Sequence, residues 1–329
     1  MPVGLDIGYS NLKLEFSVGH GEISQVFPAG AAPVEYLPVG ASSSRSDEEI
    51  ITINDREYAV CVDHSRLPDF PRSLNQNYSE TETYNALYRA ALRKTGVNHI
   101  NCLVTGLPVS QALKRETRDK LQKSLSGKIE ITPSDSVQVD NVMVVPQPYG
   151  GYLYAASEAE DAKAFVESRT LVIDPGHYSV DWVTISNREI YRMGSGSSHR
   201  ASSILLETAA NLIREKKHIN IRPDDIERAL RNKRDEIASG GRWIKINPFI
   251  DRAAKQVAPL ALSEMMSKAR DSVAEAEIVV LVGGGARFYE EAAKEIFNNS
   301  QIFIPEDPIS ANARGFLIWA EHRMSKAAA

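Results

Sequence analysis

Leu5–Leu14 reads LDIGYSNLKL, and Thr170–Ile185 reads TLVIDPGHYSVDWVTI. Each begins as an apolar strand and places an acid (Asp6, Asp174) with a glycine two residues on (Gly8, Gly176). Each then turns through small or polar residues and re-enters an apolar run. A tight turn at a strand end presents successive backbone N–H groups, a geometry suited to phosphate. In the first turn the candidates are Gly8, Tyr9, Ser10 and Asn11, with Lys13 adding positive charge; in the second they are Gly176, His177, Tyr178 and Ser179. Asp6 and Asp174 are candidates for holding magnesium through waters, since that ion gives up its hydration reluctantly. Alone, the first stretch reads equally well as a plain β-hairpin. The repetition points to two similar half-domains that pinch a phosphate chain. Asp181 reads as a turn-closing residue bonded to local backbone, and His177 either contacts phosphate or packs against its neighbours.

A third strand-to-glycine turn is EIVVLVGGGARFY, Glu277–Tyr289, with a helix expected to begin near Phe288. It lacks the G-x-G-x-x-G spacing of a dinucleotide site and the G-K-[ST] ending of a P-loop. Gly283, Gly284 and Gly285 either let a flat ligand such as a nucleoside lie against backbone or form a flexible loop. Arg287, just beyond, joins the nucleotide-binding candidates.

Around these turns, Val- and Ile-rich runs alternate with helical patterns at Ser79–Thr95, Gln111–Leu125, Ser198–Lys217, Arg222–Lys233 and Pro248–Glu275. That alternation is α/β. Ala29–Glu49, rich in Pro, Ser and Gly, reads as a surface excursion or mobile loop. The final SKAAA reads as a frayed end.

The chain has 329 residues, enough for two domains, with 43% hydrophobic and 25% charged residues. Its net charge of −5 argues against direct gripping of a nucleic-acid backbone. Two isolated cysteines, Cys61 and Cys102, form neither a disulfide framework nor a zinc cluster and read as buried small hydrophobes in a reducing compartment. The N-terminus lacks the pattern of a signal peptide, and the longest apolar run, Ile278–Ala286, is too short to span a bilayer. The expectation is a soluble, cytoplasmic protein with no membrane partner.

In order, these segments resemble the motif set of the actin, heat-shock-chaperone and sugar-kinase superfamily. Phosphate 1 corresponds to Asp6–Lys13, connect 1 to VVPQPYGGYLYA (Val144–Ala155) and phosphate 2 to Asp174–Asp181. The adenosine motif corresponds to Val279–Ala286 and connect 2 to SANARGFLIWA (Ser310–Ala320). Within the superfamily the chain looks closest to the bacterial plasmid-segregation actins, the ParM or StbA group, and to similar archaeal actins. GSGSSH, Gly194–His199, sits where that group has a small-residue turn opening a helix.

The resemblance implies an α/β, actin-like (ribonuclease H-like) two-domain fold with a nucleotide cleft between the domains. Domain I would be 1–167 plus 310–329, with an outer lobe at about 29–78. Domain II would be 168–309, with an outer lobe at about 219–247. It implies ATP or GTP with Mg2+ as cofactors, Asp6 and Asp174 in the magnesium shell, and Gln147 placing the attacking water, with Asp174 as its catalytic companion. The alternative for Gln147 is a cap on the helix that follows. Arg228 and Arg231 are candidates for the base contact, against a reading of the DDIERALRNK run as a solvated charged face. The function implied is a filament-forming ATPase that moves plasmid DNA, with itself and a DNA-binding adaptor as partners. A small-molecule kinase or a non-polymerising switch of the same fold stays open.

Overall fold

A computed structural model describes residues 1–19, 21–38, 49–72, 77–199, 201–269 and 271–328. Residues 39–48, most of the Pro- and Ser-rich excursion expected from the sequence, lie outside the described residues. The chain divides into two compact units, Met1–Ser157 with Ser310–Ala329, and Glu158–Ile309.

The first unit opens with β1 (Pro2–Ile7), β2 (Asn11–Val18) and β3 (Gly21–Pro28), an antiparallel meander. β4 (Gly30–Pro33), β5 (Glu49–Ile53) and β6 (Arg56–Val62) form a separate three-stranded sheet. Helix α1 (Glu82–Lys94) buries Tyr84, Leu87, Tyr88 and Ala91 along one stripe. It is capped by Thr81, whose hydroxyl accepts from the Tyr84 amide at 3.2 Å. There follow β7 (His99–Leu107), α2 (Val109–Ala112), α3 (Arg115–Leu125), β8 (Gly127–Thr132), β9 (Asp135–Pro146) and α4 (Gln147–Glu158). The main sheet runs β3-β2-β1-β7-β9-β8, with β1, β7 and β9 parallel to one another.

The C-terminal helix, Ala311–Ala328, returns to this unit and packs on β1. Three glycines permit the contact. A Cβ on Gly4 would stand 2.1 Å from the Ala313 carbonyl oxygen, and one on Gly315 would stand 1.8 Å from that of Gly150. Gly150 and Gly315 therefore bring α4 and the C-terminal helix together backbone to backbone. Asn312 fastens the crossing, its Oδ1 accepting from the Gly151 amide at 3.1 Å. Gly315→Ala is expected to lower Tm by roughly 5–10 °C, because the overpacking exceeds the helix propensity gained; a thermal melt with unchanged Tm would refute the close crossing.

The second unit contains α5 (Ala162–Glu167), β10 (Thr170–Pro175), β11 (Val180–Ser186), β12 (Glu189–Ser198), α6 (Ser202–Lys217) and α7 (Pro223–Arg231). A hairpin, β13 (Glu236–Ser239) and β14 (Arg242–Lys245), leads to α8 (Asn247–Ala269) and α9 (Asp271–Ala274). The unit closes with β15 (Ile278–Leu281), α10 (Ala286–Ile296) and β16 (Gln301–Phe303). Its sheet runs β12-β11-β10-β15-β16. Both units thus share one pattern: a meander whose first strand, β1 or β10, pairs in parallel with the next core strand. In both, the candidate acid sits next to last on that strand, carried to the sheet end by apolar neighbours buried on either side.

Several expectations are corrected. The helix expected over Gln111–Leu125 is broken at Leu113–Lys114. Of the helix expected over Pro248–Glu275, α8 and α9 cover the described residues on either side of position 270, which lies outside them, and that over Ser198–Lys217 begins at Ser202. Of the terminal SKAAA, residues 325–328 continue the C-terminal helix. GSGSSH is not a turn: Gly194–Ser198 is the end of β12, paired with β11. Gly196 has no room for a side chain, since the Trp182 indole lies across it and a Cβ there would meet the ring at 2.8 Å.

Cys61 and Cys102 are free thiols. Burial raises both, Cys61 to about 12, so neither is a thiolate at neutral pH. Among the described residues no helix is long and apolar enough to cross a membrane.

Candidate functional site

In the first unit the site is built around Asp6, a carboxylate only 1% exposed. Antiparallel register sets Lys13 opposite Asp6, and the ammonium donates to Asp6 Oδ2 at 2.8 Å. The other oxygen, Oδ1, accepts from Gln147 Nε2 at 2.8 Å. Gln147 opens α4 at the C-terminal end of β9. Gly106, at the end of β7, leaves room for it; a Cβ there would meet Gln147 Cγ at 2.7 Å. Residues from three strand ends therefore converge on one buried acid. Burial of a carboxylate is tolerated only with such partners.

The turn above it is closed by the Gly8 amide donating to the Asn11 carbonyl at 3.0 Å. The Gly8 amide is thus spent on the turn, and any phosphate contact falls to Tyr9, Ser10 and Asn11. Tyr9 stacks its ring on Tyr78, with centroids 4.5 Å apart, and Tyr84 meets Tyr78 edge-on. Burial pushes the Tyr78 and Tyr84 hydroxyls well above the usual tyrosine range, so this support is uncharged at any physiological pH.

In the second unit Asp174 is 8% exposed and stands opposite Asp181, where the first hairpin has Lys13. Asp181, read from the sequence as a turn-closing residue, has side-chain partners as well. It accepts from two hydroxyls, those of Ser179 and Ser197. The Gly176 amide closes this turn onto the Ser179 carbonyl at 2.9 Å, matching Gly8. Helix α6 then pins the turn from outside: the Ser202 and Ser203 amides donate to the Gly176 and His177 carbonyls, each at 3.0 Å.

The glycine-rich loop joins the same hairpin. Gly283 has φ +80°, and a Cβ there would stand 2.0 Å from Asp174 Oδ1, so only glycine fits. The Gly285 amide donates to the Pro175 carbonyl at 3.1 Å. Gly284 is exposed, and a Cβ on it would meet open space. Packing within the unit explains Gly283 and Gly285 but not Gly284, whose bare backbone faces outward. Helix α10 begins at Ala286, two residues before the expected start. Arg287 is not gathered to the hairpin. It is exposed and lines a shallow groove with Lys294, Ile304 and Glu306.

Helix α7 divides into two faces. Arg222 and Arg228 pair with Asp225 on an exposed side, as a solvated charged run would. Glu227 and Arg231 depart from that reading. Glu227 is 8% exposed, and its Oε1 lies 3.3 Å from His177 Nδ1 and 3.7 Å from an Arg231 guanidinium nitrogen. His177 thus packs against a carboxylate. The available sequence signal was the Glu227–Arg231 spacing of four beside the apolar Ile226 and Ala229.

Among the described residues no group of three or more His, Cys, Asp and Glu side chains could by itself hold a metal. Both Asp6 oxygens are engaged by Lys13 and Gln147. These residues fit an ion that keeps most of its water and shares a ligand's phosphate oxygens, as magnesium does, and do not fit an all-protein cage.

Residues 4–150 match the family model for the N-terminal domain of actin-like proteins. Residues 172–295 match that for the C-terminal domain of archaeal MreB-like actin homologues. None of the curated proteins matches the chain in sequence. Among solved structures the chain is similar to Ta0583, an archaeal actin homologue in complex with ADP, at TM-score 0.76 and 18% identity over 98% of this chain and 100% of that one. It is similar to a ParM from a 15-stranded filament of Clostridium botulinum, at TM-score 0.69 and 15% identity over 97% and 98% of the two chains. It is similar to Bacillus thuringiensis ParM with ATP, at TM-score 0.64 and 14% identity over 98% and 99%.

Proposed function

Because the chain belongs to the actin-like superfamily, with one actin-type domain model matching each half, we propose that it is a nucleotide hydrolase whose bound nucleotide controls assembly into filaments. The observation that supports this most directly is the buried Asp6 holding both Lys13 and Gln147. A lone hairpin needs no such convergence. A site that must set a cation and an amide at fixed positions beside a phosphate-sized turn does.

Phosphoryl transfer to water asks the protein mainly for positioning and charge stabilisation. Tyr9–Asn11 and His177–Ser179 supply the phosphate-facing turns, and Lys13 supplies positive charge. The Gln147 amide nitrogen is anchored on Asp6, so its Oε1 is the end that accepts from a water. An uncharged amide orients that water rather than deprotonating it. Magnesium, when bound with the nucleotide, would neutralise phosphate charge; Asp174 is the acid placed to hold its hydration shell, and Asp6 organises Lys13 and Gln147. The bare Gly284 backbone suits the flat face of a nucleoside. Arg231 and Arg287 remain candidate contacts to the ligand.

The ADP and ATP complexes of similar chains support a nucleotide ligand, and the ParM filament supports self-assembly through head-to-tail contacts. Plasmid segregation through a DNA-binding adaptor follows as the cellular role, the net charge of −5 favouring an indirect link to DNA.

Light scattering and pelleting over a protein-concentration series, with and without ATP and magnesium, test the proposal. Expected is assembly above a critical concentration only with nucleotide, followed by decay as phosphate is released. Nucleotide binding without assembly would leave a solitary switch or a small-molecule kinase, and absence of binding would overturn the proposal altogether.

A further inference from the structure

The turn 176–179 is held at two levels. Its carbonyls are pinned by the first amides of α6, and the His177 side chain, only 9% exposed, is held by Glu227 of α7. The two helices share one apolar cluster that includes Leu206, Ile213, Ile226 and Ala229. A carboxylate this buried must be paired. Here a single oxygen serves two cationic or donor groups, His177 from the turn and Arg231 from one helical turn further along α7. Nothing in the apolar packing of α7 requires an acid at position 227.

We propose that Glu227 is a positioning residue for nucleotide binding: it holds His177 and Arg231 on one carboxylate and so locks the 176–179 turn to α7. This rests on the reading of that turn as a phosphate site. A ligand that reorders the turn must then act on α7 through Glu227, and loss of the carboxylate releases the turn and Arg231 together.

The test is a double-mutant cycle on the full chain, reading the Kd of a non-hydrolysable ATP analogue with magnesium by calorimetry. Hydrogen exchange of residues 223–231 is followed with and without the analogue. Glu227→Gln is expected to weaken binding about tenfold, the size of one charge-assisted hydrogen bond, and to abolish analogue-induced protection of 223–231. His177→Gln is expected to do the same, and the double variant to bind no more weakly than the weaker single. Parental affinity and parental protection in Glu227→Gln, or additive losses in the double variant, would overturn the link. If Glu227→Gln does not fold, His177→Gln on the turn reads the same link, and parental protection there would overturn it. A parent chain that binds no analogue overturns the nucleotide reading itself, an outcome separate from the others.

Discussion

Asp174→Ala is expected to reduce nucleotide hydrolysis by about a thousandfold or more, the scale on which removing a preorganised charge at a reacting phosphate acts. The residue stands next to last on β10, and its Oδ1 lies against the bare Gly283 backbone. It is therefore fixed by two of the three glycine turns at once. Losing it removes the acid proposed to hold a hydrated magnesium ion there. The fold should survive. β10 keeps its ladders to β11 and β15, and its apolar residues Leu171, Val172 and Ile173 stay fully buried. The melting transition is expected to move by no more than about 5 °C, as for loss of a single buried polar group. Phosphate release and a thermal scan on the same preparation check both halves. Parental hydrolysis in a folded variant would remove Asp174 from the site.

How much of this was legible beforehand depends on what fixes each contact. The pairing of Asp6 with Lys13 was readable because hairpin register fixes which side chains stand opposite one another, and the turn at Gly8 sets that register. The Gly283–Asp174 contact was half readable: the glycines announced a close approach, but its target lies about a hundred residues away in sequence and is set by the β10–β15 pairing. Gly194–Ser198 misled because small residues in a strand look like a turn, although Gly196 is bare to make room for a tryptophan on the neighbouring strand. Glu227 was hidden for the opposite reason. In a run of charges the one that tertiary packing buries is marked only by its spacing of four from Arg231 and its apolar neighbours Ile226 and Ala229. The break at Leu113–Lys114 was masked by apolar residues that kept a helical period across it.

Gln147→Ala is expected to slow hydrolysis by about a hundredfold while nucleotide Kd stays within about threefold of the parent, since an oriented water matters to the transition state and little to the ground state. The two readings of Gln147 separate on this split. As a mere helix cap its loss would cost about 1 kcal/mol of stability and leave turnover intact. The geometry favours the chemical role: the side-chain amide donates across the sheet to Asp6 at 2.8 Å. The variant also takes the amide donor from Asp6 Oδ1, so the Lys13 ammonium on Oδ2 can shift. Gln147→Glu is the sharper companion. It is nearly isosteric but sets a second carboxylate against Asp6, so it is expected to lose both hydrolysis and affinity. Single-turnover phosphate release and analogue binding on the two variants resolve the matter: equal losses of kcat and affinity in Gln147→Ala would make the residue a structural brace, whereas loss of kcat alone assigns it to the water.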